Sequence, residues 1–307
     1  MDGILNILKP PGMTSHDVVA FVRRLVGGEK TGHTGTLDPG AAGVLPVCVG
    51  RATRVIQFLP GDKQYRVEIT FGLSTSTGDA FGEVVHRGDA TTLTGEALEE
   101  ALQSFIGEIM QIPPMTSAVR YRGKKLYELA RQGLEVKREP RRVKIYALRL
   151  VCMKHEGTPH PRAVVDVACS AGTYIRTLCS DLGQRLGCGA YMSFLLRTRA
   201  GTFSINEAIT LEELEESARQ GMLLRKLWNL GRVLEHLPSV YVRPGAVDRV
   251  GSGNLLYWPG VASAPDSLKE GQLVKLCTDR TILAVARSLA DPERPGYYRF
   301  QPVRVLV

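Results

Sequence analysis

The stretch Gly32-His33-Thr34-Gly35-Thr36-Leu37-Asp38-Pro39-Gly40, continuing to Gly43-Val44-Leu45-Pro46, limits the fold more than any other part of the chain. Four glycines and two prolines within 15 residues rule out a helix, because glycine weakens one and an interior proline breaks it. They also demand a backbone path that ordinary residues avoid. The stretch is not a phosphate loop: it has no G-K-[ST], and its spacing is not G-x-G-x-x-G. What remains is a rigid loop presenting one imidazole, His33, and one carboxylate, Asp38. On spacing alone the plainer reading of Asp38 is a turn cap ahead of Pro39.

The segments around this loop mix strand and helix signals. Residues 4–8 form a short apolar strand, turned by Pro10-Pro11-Gly12. Thr14-x-x-Asp17 has the form of a capping box, and Val18, Val22, Leu25 and Val26 follow at helical spacing until Gly27-Gly28. The whole of 31–50 reads as glycine-rich and non-helical. Over 65–71 the residues alternate, with Tyr65, Val67, Ile69 and Phe71 on one face, which predicts a half-buried strand carrying Tyr65 on its apolar side. A helix is expected over 95–107, strands near 143–151 and 163–169, a helix over 173–186 closed by Gly187, and another capped by Thr210-x-x-Glu213. After Leu237-Pro238 helical periodicity fades, and short apolar runs at 273–277, 282–286 and 303–307 alternate with glycine and proline. With no regular βαβ rhythm, the fold class is α+β. It divides into a main domain over 1–237 and a small β-rich domain over 238–307 that can be removed without unfolding the rest.

Composition removes several classes. At 307 residues, 44% hydrophobic and 23% charged, the chain can bury a core without staples. None of the six cysteines forms a C-x-x-C pair and none of the six histidines an H-E-x-x-H, so zinc and thioredoxin-type readings lose their support. No signal-peptide pattern opens the chain and no apolar run is as long as a membrane span, which leads us to expect a reducing cytoplasm and no membrane. The net charge of +8 favours an acidic partner. Nearly all of that excess lies in 120–144, where ten cations (Arg120, Arg122, Lys124, Lys125, Arg131, Lys137, Arg138, Arg141, Arg142, Lys144) face three glutamates, with Tyr121 and Tyr127 interleaved. A charge run is usually a solvated face, but this concentration suits a surface that follows phosphates.

Ser170-Ala171-Gly172-Thr173-Tyr174-Ile175-Arg176 places Arg176 in the first turn of a helix, where a cation opposes the helix dipole by about 0.3–1 kcal/mol. Either Arg176 is a surface residue that tolerates the position, or a nearby carboxylate offsets the cost.

Five segments in order resemble the motifs of the TruB-type tRNA pseudouridine synthases of bacteria. Asn6-Ile7-Leu8-Lys9-Pro10-Pro11-Gly12-Met13-Thr14-Ser15 is similar to the family's first motif and 32–39 to its catalytic loop. Lys63-Gln64-Tyr65 resembles the strand bearing its tyrosine, Gly172-Thr173-Tyr174-Ile175-Arg176 its arginine motif, and Leu195-Leu196-Arg197-Thr198-Arg199 its late motif. The resemblance implies a pseudouridine-synthase-type mixed β-sheet catalytic domain with helices, carrying an RNA-gripping insertion at about 113–144, and a C-terminal PUA-like RNA-binding domain. It implies isomerisation of uridine 55 in the T-arm stem-loop of tRNA. It also implies no metal or redox cofactor, no obligate protein partner and a monomer. Asp38, Tyr65 and Arg176 take the catalytic places. His33 would fill the space left by the flipped uridine, Tyr65 would stack on it, and Leu196 would wall it. Arg120, Lys124, Lys125, Arg141 and Arg142 are the candidates for phosphate contact. Beside these stand plainer readings: a core tyrosine at 65, a surface histidine at 33 and a core leucine at 196. The chain departs from the family at Gly40-Ala41-Ala42-Gly43, where bulkier residues are common, and the small Gly40 and Ala42 are expected to loosen the loop. Two other functions compete: an RNA-binding or RNA-folding protein without chemistry, and a guide-RNA-dependent relative. The trio Asp38, Tyr65 and Arg176 argues against the first, and the chain's own basic segment against the second.

Overall fold

A computed structural model describes residues 1–117 and 119–307; residue 118, inside the 113–144 stretch, lies outside the described residues. Among the described residues the larger sheet has nine strands. Its main path runs Gly3–Lys9, Ala42–Val49, Ala190–Ala200, Lys63–Phe71, Arg162–Cys169, Arg141–Lys154 and Gly107–Gln111. Thr31–His33 and Phe203–Ser204 attach beside it. The sheet is mixed: Ala42–Val49 runs parallel to Ala190–Ala200, while its other neighbours are antiparallel.

Local sequence explains the helices. Ser15–Leu25 begins at a complete Thr14/Asp17 capping box, and Leu211–Arg219 at a Thr210/Glu213 box. The helix expected over 95–107 stops at Gln103, and strand Gly107–Gln111 starts where Gly107 takes a φ of +108°, so Ile106 is exposed. Helix Ile175–Arg185 packs Ile175, Leu178, Cys179 and Leu182 against the sheet, in a cluster with Tyr65, Val67, Ile69 and Phe71 from the alternating strand.

The reading of 32–46 as a rigid loop missed the strand Ala42–Val49, buried at every position. Its proline hid it. Pro46 is tolerated because its carbonyl accepts from Thr34 N–H (3.2 Å) along the edge where pairing with Thr31–His33 has ended, and its missing donor points to that same edge.

A second sheet orders its strands Val261–Ser263, Ser239–Val242, Leu273–Cys277, Ile282–Ala290 and Tyr298–Val305, around a core that includes Val240, Leu276 and Phe300. It is not free-standing. Val285 and Leu306 join an apolar cluster with Ile4, Val44, Cys48, Val233 and Leu237, and Arg51 donates to the Leu306 carbonyl (2.8 Å). No helix among the described residues is long and apolar enough to cross a membrane.

Candidate active site

The loop after Thr31–His33 is held by three buried polar side chains. The Lys9 ammonium donates to the carbonyls of Pro10 (2.8 Å), Pro39 (3.2 Å) and Ala41 (2.7 Å). Arg197, also buried, donates to Val44 O (2.7 Å), Thr36 O (3.2 Å) and Gly35 O (3.0 Å). Ser15 Oγ accepts from Leu37 N–H (2.8 Å) and donates to Leu37 O (3.1 Å). The irregular loop thereby satisfies carbonyls that no sheet neighbour reaches, as buried backbone requires. It is not loosened by its small residues. At Gly43, φ is +116° and a Cβ would stand 2.2 Å from the Arg197 carbonyl oxygen, so only glycine lets the loop enter the sheet here.

Asp38 sits at the end of this scaffold. Its two oxygens meet Arg176 Nε (3.0 Å) and Nη2 (3.2 Å), a bidentate pair. Arg176 is 7% exposed, so the surface reading of this arginine fails; it also bonds the Thr116 hydroxyl and carbonyl and lies 3.7 Å from Asp79 Oδ2. Two carboxylates therefore offset the cation at the helix start. The helix has no side-chain cap of its own; Gln111, from the neighbouring strand, accepts from Tyr174 N–H (3.0 Å) and donates to Tyr174 O (3.3 Å).

The Asp38 side chain is 33% exposed, but it opens into a cavity of about 290 Å³ rather than onto bulk water. That is the small end of ligand pockets, room for one base rather than a polymer. Its walls include Pro39, Gly40, Thr77, Phe81, Phe194 and Leu195. Burial pushes the Asp38 carboxyl above its usual range; Arg176 pulls it down, Asp79 pushes it up, Lys9 pulls it down, and burial prevails. Tyr65 lies on the same sheet face. Its phenol is raised by burial, which Arg197 partly counters by charge and hydrogen bond. His33 ends its strand with Nδ1 accepting from Gly35 N–H (3.2 Å), and its ring lies 6.2 Å from that of His16. Burial lowers its pKa, with His16 and Arg197 adding to that, so the ring is neutral at pH 7 with its proton on Nε2.

The pattern of the TruB family pseudouridylate synthase N-terminal domain matches residues 23–175, and that of the tRNA pseudouridylate synthase B C-terminal domain matches 176–234. A tRNA pseudouridine synthase B of Pelotomaculum thermopropionicum is 53% identical over 307 residues, covering 100% of this chain and 97% of that protein. The chain belongs to the TruB family of pseudouridylate synthases. A second TruB relative, tRNA pseudouridine synthase B of Moorella thermoacetica, is 47% identical and covers 99% of each chain. Among solved structures, a Cbf5-Nop10-Gar1 complex matches with a TM-score of 0.74 at 30% identity, covering 99% of this chain and 85% of that one. An H/ACA RNP bound to a substrate RNA containing 2'-deoxyuridine matches with the same TM-score at 29%, with the same coverage.

The TruB resemblance needs one correction. Leu196 pairs opposite Arg66 and so faces away from Tyr65, whereas Leu195 pairs opposite Val67 and lines the cavity. The strand bulges between Met192 and Phe194, which lets the four successive residues Met192, Ser193, Phe194 and Leu195 border one pocket. Lys9, Ser15, Gln111, Asp79 and Arg197 were given no role from sequence. Lys9 and Arg197 had a readable signal, a cation inside an apolar strand run. In the basic segment, Arg120–Tyr121 and Lys124–Lys125 pair as a hairpin, and Arg141 and Arg142 start the strand next to the edge strand Gly107–Gln111, opposite Gln111 and Met110. Arg120, Lys124, Arg141 and Arg142 are exposed and Lys125 is half-buried. Among the described residues, no three His, Cys, Asp or Glu side chains stand where they could hold a metal ion.

Proposed function

We propose that this chain isomerises uridine 55 in the T-arm loop of tRNA to pseudouridine, acting as a monomer with no obligate protein partner. The observation that carries this is the Asp38–Arg176 pair at the wall of a one-base pocket, in a chain of the TruB family. The reaction needs an ionised carboxylate beside C1′. Arg176 favours the ionised form of Asp38 and so opposes, without cancelling, the upward push of burial. Asp38 either attacks C1′ and displaces uracil through N1, or removes the C2′ proton to leave a glycal. The base then turns and C5 bonds to C1′, displacing the Asp38 carboxylate on the first route or, on the second, as Asp38 returns the proton to C2′ of the glycal; the C5 proton then leaves and N1 takes one up. Atoms and oxidation state balance within one nucleotide, so the scheme calls for no metal or redox cofactor.

Tyr65 stacks on the base. To take the C5 proton it must first lose its own, and Arg197 beside it is the group that stabilises the phenolate. Flipping the uridine costs a few kcal/mol; neutral His33 fills the space it leaves, and Leu195 is the apolar wall. Arg120, Lys124, Lys125, Arg141 and Arg142 meet phosphates along the T-arm. Residues 1–237 form the catalytic unit and 238–307 a PUA-like unit that adds RNA contact. All six cysteines are free, which suits a reducing cytoplasm. Incubating the purified chain with unmodified tRNA, followed by base-resolved detection of pseudouridine, tests the reading. Product at uridine 55 is expected; its absence overturns the assignment.

A further inference from the structure

Among the described residues, Phe81 is the most exposed large apolar side chain, at 79%. Exposed single apolar side chains are common and need no explanation by themselves. Three observations set this one apart. Its ring borders the cavity that contains Asp38 and Arg176. It packs edge-on against Gly40, where an added Cβ would lie 2.1 Å from Phe81 Cε2 and 2.6 Å from Cζ. And its backbone is fixed by the site itself: Phe81 N–H donates to Asp79 Oδ1 (3.1 Å), while the other oxygen of Asp79 faces Arg176. The Phe81 backbone is therefore tied through one carboxylate to the ion pair that holds Asp38, while its ring, bordering the cavity, stays largely exposed. Phe194, 43% exposed, borders the same mouth.

We propose that Phe81 is a stacking platform for the nucleobase next to the flipped uridine, and that residue 40 is glycine to seat its ring. The proposal rests on the reading of this pocket as the uridine site. An RNA base adjoining a flipped nucleotide loses a stacking partner, and an aromatic ring at the mouth replaces it. Gly40 thus leaves no gap in the loop, because the space a side chain would occupy holds Phe81.

The test uses T-arm stem-loop RNAs, one unmodified and two with an abasic nucleotide on either side of uridine 55. Binding and single-turnover pseudouridine formation are measured for the parent, Phe81→Leu, Phe81→Trp and Gly40→Ala. Leucine keeps an apolar side chain at an exposed position, so folding is not at issue. Phe81→Leu should lower kcat/KM on the unmodified RNA by about 5- to 150-fold, the range for loss of one base–aromatic stack. Phe81→Trp should stay near the parent. Gly40→Ala should resemble Phe81→Leu, since its Cβ displaces the ring without removing it. On one of the abasic RNAs the Phe81→Leu penalty should shrink to within about twofold, because the stacking partner is already gone. Parent-like activity of Phe81→Leu, or a penalty undiminished on both abasic RNAs, overturns the proposal. If the parent itself makes no pseudouridine on the unmodified RNA, the failure belongs to the functional reading instead.

Discussion

Replacing Asp38 with Asn separates charge from shape. The two side chains are nearly isosteric, and the loop that carries residue 38 is held by Lys9, Ser15 and Arg197 through backbone atoms that the change does not touch. An amide neither attacks C1′ nor accepts a proton from C2′ at neutral pH. A general base alone is worth about 10²–10⁴-fold, and a nucleophile whose loss closes the route is worth more, so single-turnover pseudouridine formation should fall by at least ~10⁴-fold. Stability should not follow. Burial already raises the Asp38 pKa in spite of Arg176, so ionised Asp38 is less favourable in the folded chain than in the unfolded one. A neutral amide removes that penalty, and Asp79 remains beside Arg176. At neutral pH the variant should therefore melt at or above the parent's temperature. The sign with pH is fixed too. A carboxyl with a raised folded pKa penalises folding fully above that pKa, and the penalty fades as pH falls toward the model-peptide value of 3.8. The variant's advantage should accordingly shrink on acidification. Rates come from quenched single-turnover assays on T-arm RNA, and melting temperatures from calorimetry across pH. A near-parent rate would make Asp38 a turn residue; a large drop in melting temperature would show that the Arg176 contact outweighs burial.

Lys9→Met should remove the Lys9 donor from the Pro10 and Ala41 carbonyls, while Pro39 O keeps the Gly12 N–H (2.9 Å); the loss at buried Ala41 should cost about 1–3 kcal/mol, and turnover should slow as the loop is freed. Burial depresses the Lys9 pKa from 10.5 to about 8, so the parent's stability relative to this variant should rise as pH climbs from 8 to 10.5; a fall in denaturant titrations over that window would contradict the burial argument. Neutralising Arg141 and Arg142 together should flatten the log–log salt dependence of tRNA binding by about 0.7–0.9 per lost phosphate contact while the saturated rate changes little; the slope should change less for Arg142 alone, because Glu108 already pairs with it at 3.2 Å. An unchanged slope removes both from the interface. Deleting 238–307 uncovers the cluster that Val285 and Leu306 complete, at about 1.5–3 kcal/mol for each of these two side chains, so the truncated chain should be slower and melt well below the parent; an unchanged melting temperature would mean that the two sheets do not stabilise one another.

Local patterns in the sequence determined what neighbouring residues decide. Alternation over 65–71 put Tyr65 on the buried face, because a strand has a period of two wherever it sits. The capping boxes at Thr14 and Thr210 fixed two helix starts, because their hydrogen bonds close within four residues. The glycine-rich loop, the misplaced-looking Arg176 and the basic segment were visible as anomalies, and the TruB motifs connected two of them, the loop and Arg176. What only the tertiary structure decided lies in contacts across long sequence separations. Asp38 and Arg176, 138 residues apart, meet because the loop and the helix both end over the same sheet face. The loop is rigid rather than loose because Lys9 and Arg197 reach it from two other strands, and no local rule says that a buried cation will be satisfied by another segment's carbonyls. The strand 42–49 was hidden because proline reads as a breaker until the edge it faces is known. Leu195 lines the pocket rather than Leu196 because shifting strand register by one residue exchanges the faces, and register is set by pairing with Lys63–Phe71 and by two bulges that sequence periodicity cannot locate.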